Sequence, residues 1–323
     1  MRNEKMMLLG GGVMIVIDKL DEIEEDYTEK MKEHVEIIVE WLSKGLDLSR
    51  LDFIYFPNDF DKAILEFQIE QGISERGVTN NAMGTTFGKT IELEVNGELK
   101  DRIFLRKEIL LQLLLGEGYA QKLSLNTLHH ELCHVHDNND LAKMFDFQAE
   151  LDMESDTIYS VLNAHAMNIF SEYIVPKMAV TTKDPNTIID TNFLADIISY
   201  TQKEVKKDIA KYQNGEINIF IFFGELQLKT SHLLKVFSTI IGELDGITKE
   251  TELINEQLLD SFISNYQICD CWFSLKSALR ELNKTYPNWT QVAEIEPLKK
   301  CILKTWNTYG VYPDEYGIKI LEN

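Results

Sequence analysis

With 323 residues, 44% of them hydrophobic, the chain can bury a substantial core as one large domain or two lobes. Its 53 Asp and Glu outweigh 32 Lys and Arg, and the resulting net charge of -21 repels phosphate backbones and anionic membrane surfaces. No nucleic-acid or membrane partner is therefore expected. The 4 cysteines are too sparse for a disulfide framework, so a reducing, cytoplasmic setting is expected; Cys269 and Cys271 read as ordinary thiols on a helical segment.

The first apolar run, Met6 to Ile17, follows two basic residues but lacks a small-residue cleavage site and is too short to span a membrane. It reads as a buried strand rather than a targeting signal. Gly10-Gly11-Gly12 has no following Lys-Ser/Thr, so a turn explains it better than a phosphate loop. Residues 51–56 (LDFIYF) alternate and favour a strand, ended at Pro57-Asn58. Asp59 can then cap a helix running to about Gln71. Thr90 to Val95 and Glu98 to Leu105 flank Asn96-Gly97, a dipeptide suited to a tight hairpin turn, and Ile109 to Leu115 predicts a short helix stopped by Gly116 and Gly118.

Beyond residue 125 the apolar period becomes helical. The segment Ser124 to Asp137 opens on good N-cap residues and carries Leu125, Leu128, Leu132 and Val135 at helical intervals. On this helix His130 and His134 are one turn apart on one side, where a single cation can bind both. Glu131 lies directly after the first histidine, placed to reach an activated water without being drawn into the metal shell. His129 and His136 are out of phase and read as supporting or surface groups.

A catalytic zinc normally takes three protein ligands and keeps one position for water. The candidates for the third are Glu150, Asp152, Glu154, Asp156, His165 and Glu172. From Thr157 to Val175 an apolar stripe runs through Ile158, Val161, Leu162, Ile169 and Tyr173, and His165 and Glu172 both fall within it. A carboxylate on a buried stripe needs a partner. Zinc is one; an ion pair with His165 or a basic residue is the other. Asp152, Glu154 and Asp156 read as a solvated acidic run near a helix N-terminus. Pro176 predicts that the helix kinks or ends there.

His130-Glu131-Leu132-Cys133-His134 resembles the active-site helix of the zincin metallopeptidases, and Ser171-Glu172-Tyr173 is similar to the third-ligand segment of their gluzincin branch. The metzincin pattern is absent, since Asp137 and Asp140 stand where its glycine and third histidine would be. Over roughly residues 50–180 the resemblance implies an α+β fold: a zincin-like core with a small antiparallel or mixed sheet and an active-site helix, followed by a mostly helical C-terminal part. It implies that His130, His134 and Glu172 hold Zn2+, that Glu131 is the general base, and that a peptide or protein substrate lies along a rim strand, with 98–105 the candidate.

His165, Tyr173 and Tyr119 are the candidates for steadying the oxyanion, with His165 placed first for its phase with Glu172. The expected parts are 1–120, an α/β part with a hairpin; 121–181, the metal-binding helices; and 182–323, a helical part, joined near Asp184-Pro185-Asn186. Within the last part Ile217 to Phe223 reads as helix in preference to strand. The alternatives are a regulatory or interaction protein on a zincin core and an enzyme with one dedicated target.

Overall fold

The computed structural model describes residues 13–19, 25–73, 80–81, 84–153, 158–184, 190–247, 251–314 and 317–321. Its class is α+β, predominantly helical with a small mixed sheet. Two compact units divide the chain, one built from Met1–Asn139 with Thr182–Asn186 and the other from Asp140–Thr181 with Thr187–Asn323.

The elements of the first unit, in chain order, are β1 (Met14–Ile17), α1 (Glu25–Leu42), β2 (Leu51–Phe56), α2 (Phe60–Glu70), the short β3 (Asn80–Asn81) and β4 (Gly84–Thr85), β5 (Gly88–Val95), β6 (Glu98–Leu105), α3 (Lys107–Leu115) and α4 (Gly118–Lys143). The main sheet has the order β1-β2-β6-β5; β1, β2 and β6 run parallel and β5 closes the edge antiparallel to β6. The hairpin turn falls at Asn96-Gly97 as predicted, with φ of 54° and 83°, values that suit these two residue types. Asp59 caps α2 by accepting from the Lys62 N–H at 3.1 Å. Of the N-terminal apolar run, Met14–Ile17 is a strand and residues 6–12 lie outside the described residues.

The period-two alternation of the strands sorts two cores onto the two sheet faces. Ile54 and Phe56 of β2 with Ile103 and Leu105 of β6 join Val35 and Val39 of α1, Leu110 of α3, and Leu128, Leu132 and Val135 of α4. On the other face Phe53, Tyr55, Phe104 and Ile91 pack with Phe60, Ile64 and Phe67 of α2. Since Ile91 looks toward α2, the alternate residues Gly88, Thr90 and Glu92 of β5 look toward α4.

Two local expectations are corrected. Ser124 is not a helix cap: α4 begins at Gly118, because Ala120, Gln121, Lys122 and Leu123 are good helix formers that carry the helix back past it, and Ser124 is buried in its interior. Gly118 thus opens a helix rather than stopping the preceding one, whose end is capped at Gly116.

The second unit holds α5 (Phe145–Met153), α6 (Ile158–Ala179), α7 (Thr191–Gln213), α8 (Ile219–Gly246), α9 (Thr251–Ile263), α10 (Cys269–Leu282), α11 (Glu296–Thr308) and a C-terminal hairpin, β7 (Val311–Asp314) with β8 (Gly317–Ile320). Pro176 does not end α6, which continues to Ala179 before a 3-10 turn at Val180–Thr182. Val175, Pro176 and Ala179 are all buried, so packing outweighs the backbone hydrogen bond that the proline removes. The stretch read as helix in preference to strand after Ile217 is indeed the start of α8.

An aromatic group of Phe147, Phe170, Tyr173, Tyr286 and Trp289 fills one part of this unit. An ionic network joins α8, α9 and α10: Arg280 binds Asp245 at 2.7 Å and Glu256 at 3.0 Å, and Lys276 binds Asp260 at 2.6 Å. These contacts hold Glu256 well below the ordinary carboxylate range, at about 2, with the Arg280 hydrogen bond the largest cause. Among the described residues no helix is long and apolar enough to cross a membrane.

Candidate metal centre

Helix α4 turns its Leu128, Leu132 and Val135 to the sheet, and this places His130 and His134 on a different, half-buried side. Their Nε2 atoms lie 3.1 Å apart and their rings stand at 78°. Two nitrogens bound tetrahedrally to one zinc at the usual bond lengths are separated by about 3.3 Å. The pair therefore has the spacing of two imidazoles converging on a single cation.

Glu172, the third ligand expected from the sequence, is half-buried on α6 of the second unit. Two imidazoles converging in this way are donors that suit zinc, and by their chemistry they fit the ion. Cys133, between the two histidines in sequence, is not among them. Burial pushes its thiol up to about 12, with Asp137 adding to the effect, and a protonated thiol is a poor ligand.

Glu131 is buried, at 6% exposure, against the edge strand. The Thr90 hydroxyl on β5 donates to Glu131 Oε2 at 2.7 Å. Gly88, two residues earlier on the same face, lies so close that a Cβ added there would stand 2.6 Å from Glu131 Oε1. Neither contact could be read from the helix motif. The signal in the sequence was the polar face of the hairpin, Thr90, Glu92 and Glu94 alternating with Ile91, Leu93 and Val95, but which partner that face met required the fold.

The C-terminal half of α4 is fastened by polar groups at the start of β2 and on β6. Asn138 Nδ2 donates to Asp101 Oδ1 at 2.7 Å, the Asn138 carbonyl accepts from Arg50 at 2.8 Å, and Asn139 donates to the Asp47 carbonyl at 2.8 Å. Arg50 also pairs with Asp101 at 3.4 Å and with Glu92. Asp101 is fully buried, and that burial raises its carboxyl to about 6 despite the opposing Arg50 and Asn138.

His136 accepts at Nδ1 from the Asp47 N–H at 2.9 Å, and buried His129 meets the Thr182 hydroxyl through Nδ1 at 3.0 Å. Both support the helix, and neither belongs to the candidate metal group.

The remaining candidates separate by their contacts. Glu150 accepts from the Val292 N–H at 2.6 Å, which employs one of its oxygens within the second unit. Glu154 and Asp156 lie outside the described residues, as does the side chain of Asp152. His165 Nε2 is 3.3 Å from Gln227 Oε1 on α8. The Tyr173 hydroxyl donates to Asp245 at 2.9 Å, and burial first, then Asp245, pushes the phenol far above its ordinary range. Tyr119 is exposed in the first turn of α4.

The rim strand proposed from the sequence is also corrected: 98–105 is β6, interior between β2 and β5, and β5 is an edge strand. Comparison with family models, with curated proteins and with solved structures finds no match.

Proposed function

We propose that this chain is a zinc-dependent hydrolase that cleaves peptide bonds, on a zincin-like, gluzincin-type arrangement, with His130, His134 and Glu172 as ligands and Glu131 as general base. The observation that carries the reading is the 3.1 Å approach of the two imidazoles beside a separate, hydrogen-bonded carboxylate. A purely structural metal site has no use for a buried carboxylate next to its first ligand. Bound zinc would supply an acidified water and polarise the substrate carbonyl.

The other steps fall to the chain itself. Glu131 accepts the proton of the attacking water and can return it to the leaving amine. Its carboxylate is kept out of the ligand set by its position on α4 and its bond to Thr90. His165 is the proposed donor to the developing oxyanion; Tyr173 is a weaker candidate because its hydroxyl is already committed to Asp245. An extended peptide or protein segment would lie along β5, whose Gly88 and Thr90 adjoin the base.

The test is paired. His130→Ala should abolish zinc retention in the purified protein, while Glu131→Gln should retain zinc and lose turnover by at least about a hundredfold, the usual scale for a general base. Equal zinc content in wild type and His130→Ala would refute the ligand assignment. Undiminished turnover in Glu131→Gln would refute the base.

A further inference from the structure

We propose that Gly88 and Thr90 of β5 form a built seat for the Glu131 carboxylate, with Thr90 a positioning residue that acts on the substrate only through Glu131. The inference rests on the zinc-hydrolase reading and extends it from the metal helix to the edge strand. Its basis is a register. The Asn96-Gly97 turn pairs Gly88 with Leu105 and Thr90 with Ile103, so these two β5 residues point to the same sheet face, toward α4.

The two residues act on Glu131 in complementary ways. Thr90 donates its one hydroxyl proton to Oε2 at 2.7 Å; the Glu131 carbonyl lies farther away, at 3.3 Å. That bond fixes one oxygen of the carboxylate and thereby the direction of the other. Gly88 supplies the space: a Cβ there would stand 2.6, 2.8 and 2.9 Å from Oε1, Cγ and Cδ of Glu131, so any side chain at position 88 must displace the carboxylate. A buried base that Thr90 hydrogen-bonds and for which Gly88 leaves room is oriented before a substrate arrives, which is the preorganisation that proton transfer requires.

The test reads orientation without needing the natural substrate. Acetohydroxamate is titrated into the zinc-loaded full chain by calorimetry, because a hydroxamate on zinc hydrogen-bonds a neighbouring carboxylate as an attacking water would. Zinc stoichiometry is measured first, in wild type, Thr90→Val, Thr90→Ser and Gly88→Ala.

All four should hold the same zinc. Thr90→Val and Gly88→Ala should weaken acetohydroxamate about tenfold, the equivalent of losing one hydrogen bond to a charged group. Thr90→Ser should bind within about twofold of wild type. In a Glu131→Gln background Thr90→Val should have almost no further effect, since the orientation of the carboxylate is what it controls.

Wild-type affinity in Thr90→Val, or the same loss with and without Glu131, would overturn the seat, the latter showing a merely structural role. A wild-type chain that takes up no zinc would overturn the zinc reading and the seat's purpose together. That failure is distinguishable because it is scored before any variant is compared.

Discussion

A buried carboxylate must be stabilised by its neighbours, and both Glu131, at 6% exposure, and the fully buried Asp101 have polar partners. Glu131 accepts a hydrogen bond from the Thr90 hydroxyl at 2.7 Å. Asp101 has Arg50 at 3.4 Å and Asn138 at 2.7 Å, yet its burial prevails and its carboxyl rises to about 6 from the ordinary 3.8. The sign of the pH effect follows from that direction. Between those two values the folded chain binds a proton that the unfolded chain has released, so the residue's contribution is fully present below about 3.8 and is lost as pH rises through about 6.

Asp101→Asn imitates the protonated form. Urea unfolding at pH 7 and pH 4 should therefore show wild type gaining on Asp101→Asn as the pH falls, by up to about 3 kcal/mol. A gap between the two proteins that stays constant across that interval would show that Asp101 is ionised alike in both states.

At the scale of elements, α4 is held to the sheet by the apolar row Leu128, Leu132 and Val135, all fully buried. Leu132→Ala should cost about 2–5 kcal/mol in chemical unfolding, the range for emptying a leucine site in a packed core. A loss below about 0.5 kcal/mol, the usual limit for surface changes, would place that row outside the core.

This row was legible in the sequence because its period matched a helix, and the hairpin was legible because Asn-Gly demands a particular turn. The start of α4 was not, since an N-cap residue such as Ser124 looks the same whether or not helix formers precede it. The course of α6 past Pro176 was hidden for a related reason: a proline's local penalty is visible in sequence, whereas the burial of Val175 and Ala179 that offsets it is tertiary. Gly88 and Thr90 fell between these cases. Alternation from Thr90 to Val95 marks that face as polar, with Gly88 just before the predicted strand, but it takes the strand order to make β5 an edge and the fold to bring its polar face to Glu131.

Across the whole molecule, the ligand set proposed for zinc draws on residues far apart in sequence, 130 and 134 on α4 and 172 on α6, and the net charge of -21 leaves many other carboxylates that could bind a divalent ion loosely. The histidine pair would set the proposed site apart from that background, because carboxylate clusters offer oxygen alone. The most direct test is zinc-edge X-ray absorption on the full chain loaded with one equivalent of the metal. Two nitrogen scatterers at about 2.0–2.1 Å with oxygen at about 2.0–2.2 Å are expected, and no protein-bound zinc with that two-nitrogen shell in His130→Ala. An all-oxygen shell, or sulfur at about 2.3 Å, would contradict the proposed ligand set.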